Sequence, residues 1–229
     1  MNRYGQYCPT ARAVEILGDR WTLLIVRNLL FGERHFNQLE RGLPGISRAL
    51  LAGRLKRLLQ AGILEREPGE GGRRGGYRLT QAGRDLFPVI ESLTRWGARW
   101  AFGEPDPEEL QPVLLLWWMH DRVNQAQLPP GRVVVEFFFR EARPPCYWLV
   151  LSREDVSVCL THPGFEIDLQ VRAELPALYQ VWMGRLALAE ALQRRQVEFL
   201  GGPELARAFP GWFALSPAAA IVREVREAS

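Results

Sequence analysis

At 229 residues with 47% hydrophobic side chains, the chain is too apolar to be disordered and long enough for one large domain or two modest ones. Its net charge of +3 hides a split: residues 1–103 carry 17 Arg and Lys against 9 Asp and Glu, and residues 104–229 carry 12 against 17. The longest apolar run, "PVLLLWWM", falls far short of the ~20 residues of a membrane span, and the start "MNRYGQYCPTARA" lacks the basic and apolar regions of a signal peptide, so a cytoplasmic protein without a membrane partner is expected.

In chain order, the first half reads as helix upon helix. "TARAVEILG" and "DRWTLLIVRNLLFG" repeat apolar residues at helical spacing, and each ends on a glycine suited to a left-handed cap. "RHFNQLERGLP" makes a short helix closed by Gly42 and Pro44. Ser47 then caps a helix whose apolar stripe is Leu51, Leu55 and Leu58, widened by Leu59, ending at Gly62. "ILERE" and "YRLT", joined by a glycine-rich loop with Arg73 and Arg74 at its tip, predict a β-hairpin wing. "TQAGRDLFPVIESLTRWGARWAF" predicts one long helix capped by Thr80, with Leu86, Ile90, Leu93, Trp96 and Trp100 on a broad apolar face.

The helix from Ser47 to Gly62 carries the functional argument. With the leucines turned inward, Ser47 and Arg48 occupy its first turn, and Arg54 and Arg57 flank the stripe. The second helix of a helix-turn-helix meets base edges with its N-terminal part, where arginine can pair bidentately with guanine. Ala49 and Gly53 are small enough for a close approach to bases, and arginines at the wing tip suit phosphate contact. Arg34 and Asn37, in the preceding helical segment, join the candidate DNA-binding set. A merely solvated basic helix is the competing reading. The ordered set of turn, capped basic helix and basic hairpin favours double-stranded DNA.

The stretch from "YCPTARAVEILGDRWTLLIVRNLL" through "RHFNQLERGLPGIS" and "LAGRLKRL" to "AGILER" resembles the HxlR family of bacterial winged helix-turn-helix transcription regulators over roughly residues 5–100. The resemblance implies a homodimer on a pseudo-palindromic operator, with repression the expected sense. It also implies dimer contacts from the N-terminal segment and from the helix after the wing. The apolar surface of Trp96 and Trp100 agrees with the latter. In some members of that family a cysteine at the place of Cys8 responds to oxidants or electrophiles, which makes Cys8 a redox candidate. The preferred reading is an inert thiol buried at the dimer interface, since nothing nearby clearly lowers its pKa, although Arg12 lies one helical turn away.

A proline-rich acidic break, "FGEPDPEELQP", places a domain boundary near Gly103, between units 1–103 and 104–229. "DPEELQPVLLLWWMHDRVNQAQ" predicts a helix. "GRVVVEFFFREA" follows as a strand with Val133, Val135, Phe137 and Phe139 on one face and Glu136 and Arg140 on the other. "PCYWLVLSRE", "DVSVCLTHP" and "EIDLQVRAE" predict further strands of an antiparallel sheet. Two helices separated at Gly184, a closing strand and a final helix, "GPELARAFPGWF", complete an α+β domain. The segment from "ELPALYQVWMGRLALAEALQ" to "VEFLGGPELARAF" resembles sterol-carrier-protein-type domains, which implies a tunnel for an apolar ligand. Trp117, Phe137, Phe139, Trp148, Tyr179 and Trp182 are its candidate lining, with ordinary core packing as the competing reading.

The whole therefore reads as an α+β protein. A winged helix-turn-helix domain precedes a sterol-carrier-like domain that senses an apolar small molecule or strengthens dimerisation. The alternative is a lipid or acyl-group carrier with an accessory basic domain. No enzyme is expected, because Glu136, Glu141, Asp168 and the three histidines bring no base to a nucleophile. Cys8, Cys146 and Cys159 form neither a CxxC nor a Cys/His spacing, so neither metal nor cofactor is expected.

Overall fold

The computed structural model describes residues 4–69 and 75–228. They form two compact units, Met1–Thr94 and Arg95–Ser229. In the first, the helical periodicity resolves into α1 (Pro9–Leu17), α2 (Thr22–Leu30), α3 (Phe36–Arg41) and α4 (Arg48–Gln60). Next come strands β1 (Leu64–Arg66) and β2 (Tyr77–Leu79), and then α5 (Gln81–Arg84) and α6 (Phe87–Trp100), whose residues from Arg95 on fall in the second unit. Ile25 and Val26 of α2, Leu39 of α3, Leu51, Leu55 and Leu58 of α4 and Ile90 of α6 share one core. β1 and β2 pair antiparallel, Leu64 opposite Leu79, and make the expected hairpin.

Two local expectations are corrected. Gly18, expected as a left-handed cap, is right-handed, with φ of −73°. A side chain at Gly18 would stand 2.6 Å from the Val14 carbonyl oxygen, so this position needs glycine for close approach. Gly32 and Gly62 do take the left-handed conformation, at φ 105° and 71°. The long helix after the wing is two, α5 and α6, because Pro88 lacks an N–H and its ring crowds the carbonyl four residues back.

The second unit holds α7 (Pro112–His120), β3 (Val133–Phe139), β4 (Cys146–Leu151), β5 (Val156–Cys159) and β6 (Leu169–Ala173). These are followed by α8 (Leu175–Trp182), α9 (Leu188–Gln193), β7 (Val197–Gly201), α10 (Pro203–Ala208) and α11 (Ala219–Glu227). The strand order is β5-β4-β3-β6-β7. Contrary to expectation the sheet is mixed. β3 and β6 run parallel, Val135 beside Leu169, because the chain leaves β5 at one edge and returns on the far side of β3. The segment read as one helix from Asp106 is a 3-10 turn at Pro107–Glu109, α7, and a second 3-10 turn at Gln125–Gln127. Pro112 sits in the first turn of α7, where a missing N–H costs nothing. "GPELARAFPGWF" forms α10 and a 3-10 turn, and α11 follows it as a helix the sequence reading omits. As the alternation predicts, Val133, Val135, Phe137 and Phe139 point into one core with Leu115, Leu178, Trp182 and Trp212. Glu136, on the opposite side of the strand, is also buried, and its carboxylate accepts from Gln170.

Candidate nucleic-acid interface and second-domain cavity

The start of α4 is built by Ser47, whose Oγ accepts from the Leu50 N–H at 3.2 Å. That bond satisfies one of the amides a helix start leaves unpaired. With Leu51, Leu55 and Leu58 in the core, the opposite face is open. Ser47, Arg48, Ala49, Gly53 and Arg57 are all exposed, and so are Ala52 and Lys56. Ala49, Ala52, Gly53 and Lys56 lie at i, i+3, i+4 and i+7, so they form one strip of small residues ending in a cation. A Cβ at Gly53 would meet nothing within 4 Å, so packing does not require this glycine. Ala52 and Lys56 are absent from the sequence-predicted set, although their helical spacing from Ala49 was the signal for both.

The arginines are held by acids from elsewhere in the unit. Arg48 pairs with Glu40 of α3, and its guanidinium lies 5.0 Å from the Phe36 ring centroid. Asp19, in the turn between α1 and α2, accepts from Arg54 and, at 2.9 Å, from Arg57. Arg54 is the more enclosed, its side chain 17% exposed against 64% for Arg57. Arg48, Lys56 and Arg57 are thus the accessible cations of the helix, and Arg54 ties it to the α1–α2 turn. Arg34 pairs with Glu67 at 3.3 Å, and its carbonyl accepts from the Tyr77 N–H at 2.8 Å, which fastens the segment before α3 to the hairpin. Asn37 is exposed on α3. Arg73 and Arg74 lie outside the described residues.

Cys8 stands at the N-cap position of α1, outside the core and without a side-chain cap hydrogen bond. The backbone N–H groups of Ala11 and then Thr10 lower its pKa, a stabilisation of the thiolate that comes from the free amides of a helix start. The sequence reading assigned no such cause. Cys146, by contrast, is shifted up by burial and then by the charge of Glu136.

The second unit contains a cavity of about 670 Å³ among α8, α9, β7, the Phe209–Phe213 segment and α11. Of the six aromatics predicted to line it, Trp182 does. Phe137 and Phe139 are fully buried in the core, their rings stacked at 6.3 Å. Tyr179 is also a core residue; its hydroxyl donates to the Gln111 carbonyl at 3.0 Å, and burial pushes its pKa up to about 12. Trp117 stands edge-on to His120, and Trp148 points from the other face of the sheet toward His162. The lining instead includes Leu178, Phe199, Phe209 and Phe213, with Arg223 and Arg226 from α11. No group of three or more His, Cys, Asp or Glu that could hold a metal occurs among the described residues, and no described helix is long and apolar enough to cross a membrane.

Comparison with known proteins agrees with the first unit's architecture. The model of the HxlR-like helix-turn-helix family matches residues 16–104. An HTH-type transcriptional regulator of Mycobacterium tuberculosis is 48% identical over 98 residues, which are 42% of this chain and 60% of that relative; the match thus spans about three fifths of the relative's length. The HTH-type transcriptional regulator YvaP of Bacillus subtilis is 37% identical over 97 residues, 42% of this chain and 90% of the relative. Among solved structures, the reduced form of the transcriptional regulator YodB from B. subtilis is similar at 34% identity, covering 42% of this chain and 96% of that one with a TM-score of 0.37. With YvaP matched over nine tenths of its length at that identity, the chain belongs to the HxlR-like helix-turn-helix family of transcriptional regulators.

Proposed function

We propose that the protein is a sequence-specific DNA-binding transcriptional repressor that acts as a homodimer and inserts the start of α4 into the major groove. The observation that carries this reading is the open face of α4. A capped N-terminus, a strip of small residues and the accessible cations Arg48, Lys56 and Arg57 stand where an ordinary core helix needs only solubility. Small side chains let a helix approach base edges, and arginine can pair with guanine there. Arg34, Asn37 and the wing arginines Arg73 and Arg74 act on the phosphates, and Arg54 fixes the helix against the preceding turn. Dimerisation is supported by α6, on which Leu93, Trp96 and Trp100 are 47%, 61% and 67% exposed, and by α1, which has no buried residue. Apolar surface of this kind on a soluble chain marks an interface.

The second unit, in this reading, is a sterol-carrier-like domain that binds a small molecule with an apolar body and adjusts the DNA-binding state. The cavity supports that role, and a ligand does so only by binding the two states with different affinity. The test of the function is selection of bound duplexes from a randomised DNA library by the full chain. An enriched inverted repeat with half-sites about one helical turn apart is the expected result. Salt-sensitive retention without enrichment would leave a lipid or acyl carrier with an accessory basic domain as the better account.

A further inference from the structure

The face of α11 that meets the cavity breaks the pattern its packing sets. Ala219 and Val222 are buried on that face, and Arg223 and Arg226 continue the same i, i+3, i+4, i+7 stripe and line the cavity. A stripe that packs inward is ordinarily apolar. Here two guanidinium groups stand at the edge of a chamber walled mainly by leucine, valine and aromatic rings.

Helix ends attract cations, which accounts for Arg226 in the last turn but not for Arg223 in the middle of the helix. Arg226 donates to the Arg185 carbonyl, which holds its guanidinium at the rim while leaving other donors available. Arg223 has no hydrogen bond or ion pair among the described residues. Of the lining carboxylates, Glu190 is engaged by Arg194 at 2.5 Å, so Glu227 is the sole negative charge facing the two arginines without an ion-pair partner of its own among the described residues. The position of α11 is fixed from below. Gly184, at φ 76°, comes so close that a Cβ there would stand 2.6 Å from the Ala219 carbonyl oxygen.

We propose that this cavity binds an amphipathic monoanion, a carboxylate whose apolar body lies among Leu178, Phe199, Phe209 and Phe213 and whose head is taken by Arg223 and Arg226. The inference rests on the reading of the second unit as a small-molecule site and adds its ligand class. Arginine suits the head because its fork matches both carboxylate oxygens. The volume of about 670 Å³ lies inside the roughly 300–1,000 Å³ of small-molecule sites. A straight-chain fatty acid and a ring-bearing acid share this chemistry.

Titration calorimetry on the full chain with decanoate, 1-decanol and 2-naphthoate separates the outcomes. One acid binds with 1:1 stoichiometry, and the tighter of the two identifies the body as chain or ring. Decanol binds at least about tenfold more weakly than decanoate if the chain acid is the ligand. Arg223→Gln, at an exposed position that leaves the fold intact, weakens the preferred acid by about tenfold and leaves decanol unchanged. Leu188→Trp, which takes up part of the chamber with a larger ring, weakens binding of all three. Equal affinity for decanoate and decanol, unmoved by Arg223→Gln and with no preference for naphthoate, would overturn the anionic head while keeping an apolar site. Acid binding unmoved by both Arg223→Gln and Leu188→Trp would place the acid elsewhere and overturn the proposal. No binding by any probe would remove the small-molecule reading as well.

Discussion

Asp19 accepts from two arginines of α4, so the charge that α4 presents is partly set by a residue 35 positions earlier in the chain. Neutralising it with Asp19→Asn leaves Arg54, largely enclosed, beside a weaker acceptor. The expected cost is about 1 kcal/mol of stability, between the value of an exposed pair and that of a buried one. The same change adds one net positive charge to the α4 side and steepens the salt dependence of binding to random DNA. Urea unfolding and binding isotherms at several salt concentrations check the two effects; unchanged stability with an unchanged salt slope would remove Asp19 from this role. The cysteines give a second prediction. Cys8 is shifted down by the amides of Ala11 and Thr10, and Cys146 is shifted up by burial and Glu136. A lowered pKa means thiolate present at lower pH, and the thiolate is the nucleophile. As pH rises, iodoacetamide therefore modifies Cys8 before Cys146, read by mass spectrometry of digested samples. Alkylation of both in the same pH window would contradict this. The basic residues of α4 were legible because side chains beside a leucine stripe must face outward. Their acidic partners Asp19 and Glu40 were not, since a pairing across 35 or 8 residues depends on how helices cross.

At the scale of elements, periodicity carried the helices and strands of the first unit and of the sheet, and prolines and strand order are where it failed. The 3.6-residue pattern runs smoothly through Asp85 and Leu86, yet Pro88 breaks the hydrogen-bond ladder there. Alternation identifies β6 as a strand but says nothing of whether its neighbour runs parallel. That is decided by the connection from β5 back across the sheet. The cavity lining departs from expectation for a related reason: Phe137 and Phe139 are of the right residue type, yet an alternating strand turns such residues straight into the core. The residues that do surround the chamber come from turns and from α11, whose alanine- and charge-rich sequence has too short an apolar stripe to stand out. Gly184 is the hinge of this arrangement. Gly184→Ala puts a side chain at positive φ and against the Ala219 carbonyl, and it should cost more than about 1 kcal/mol of unfolding free energy. It should also widen the gap between α11 and the chamber, weakening whichever acid binds there. Wild-type stability in the variant would mean that α11 is not held as described.

For the whole molecule, the opposite charges of the two halves, +8 and −5, suit a division of labour between a DNA-facing unit and one that is not. The proposed homodimer rests on the exposed apolar stripe Val89, Leu93, Trp96 and Trp100 along α6, at i, i+4, i+7 and i+11. Trp96→Asp places a charge in the middle of that stripe. Sedimentation at micromolar concentration should then show a shift from dimer to monomer, with operator affinity falling in parallel because two half-sites are no longer held together. An unchanged mass would move the interface off α6.

The central claim is that the first turn of α4 reads bases. The most direct measurement is a pair of selections from the same randomised duplex library, one with the wild-type chain and one with Arg48→Ala. The expected result is that the variant keeps the inverted repeat but loses its base preference at one position in each half-site, a discrimination worth about 1–3 kcal/mol. Identical base preferences from the two proteins, or uniform flattening at every position, would contradict a base-reading role for Arg48 and reduce α4 to a backbone contact.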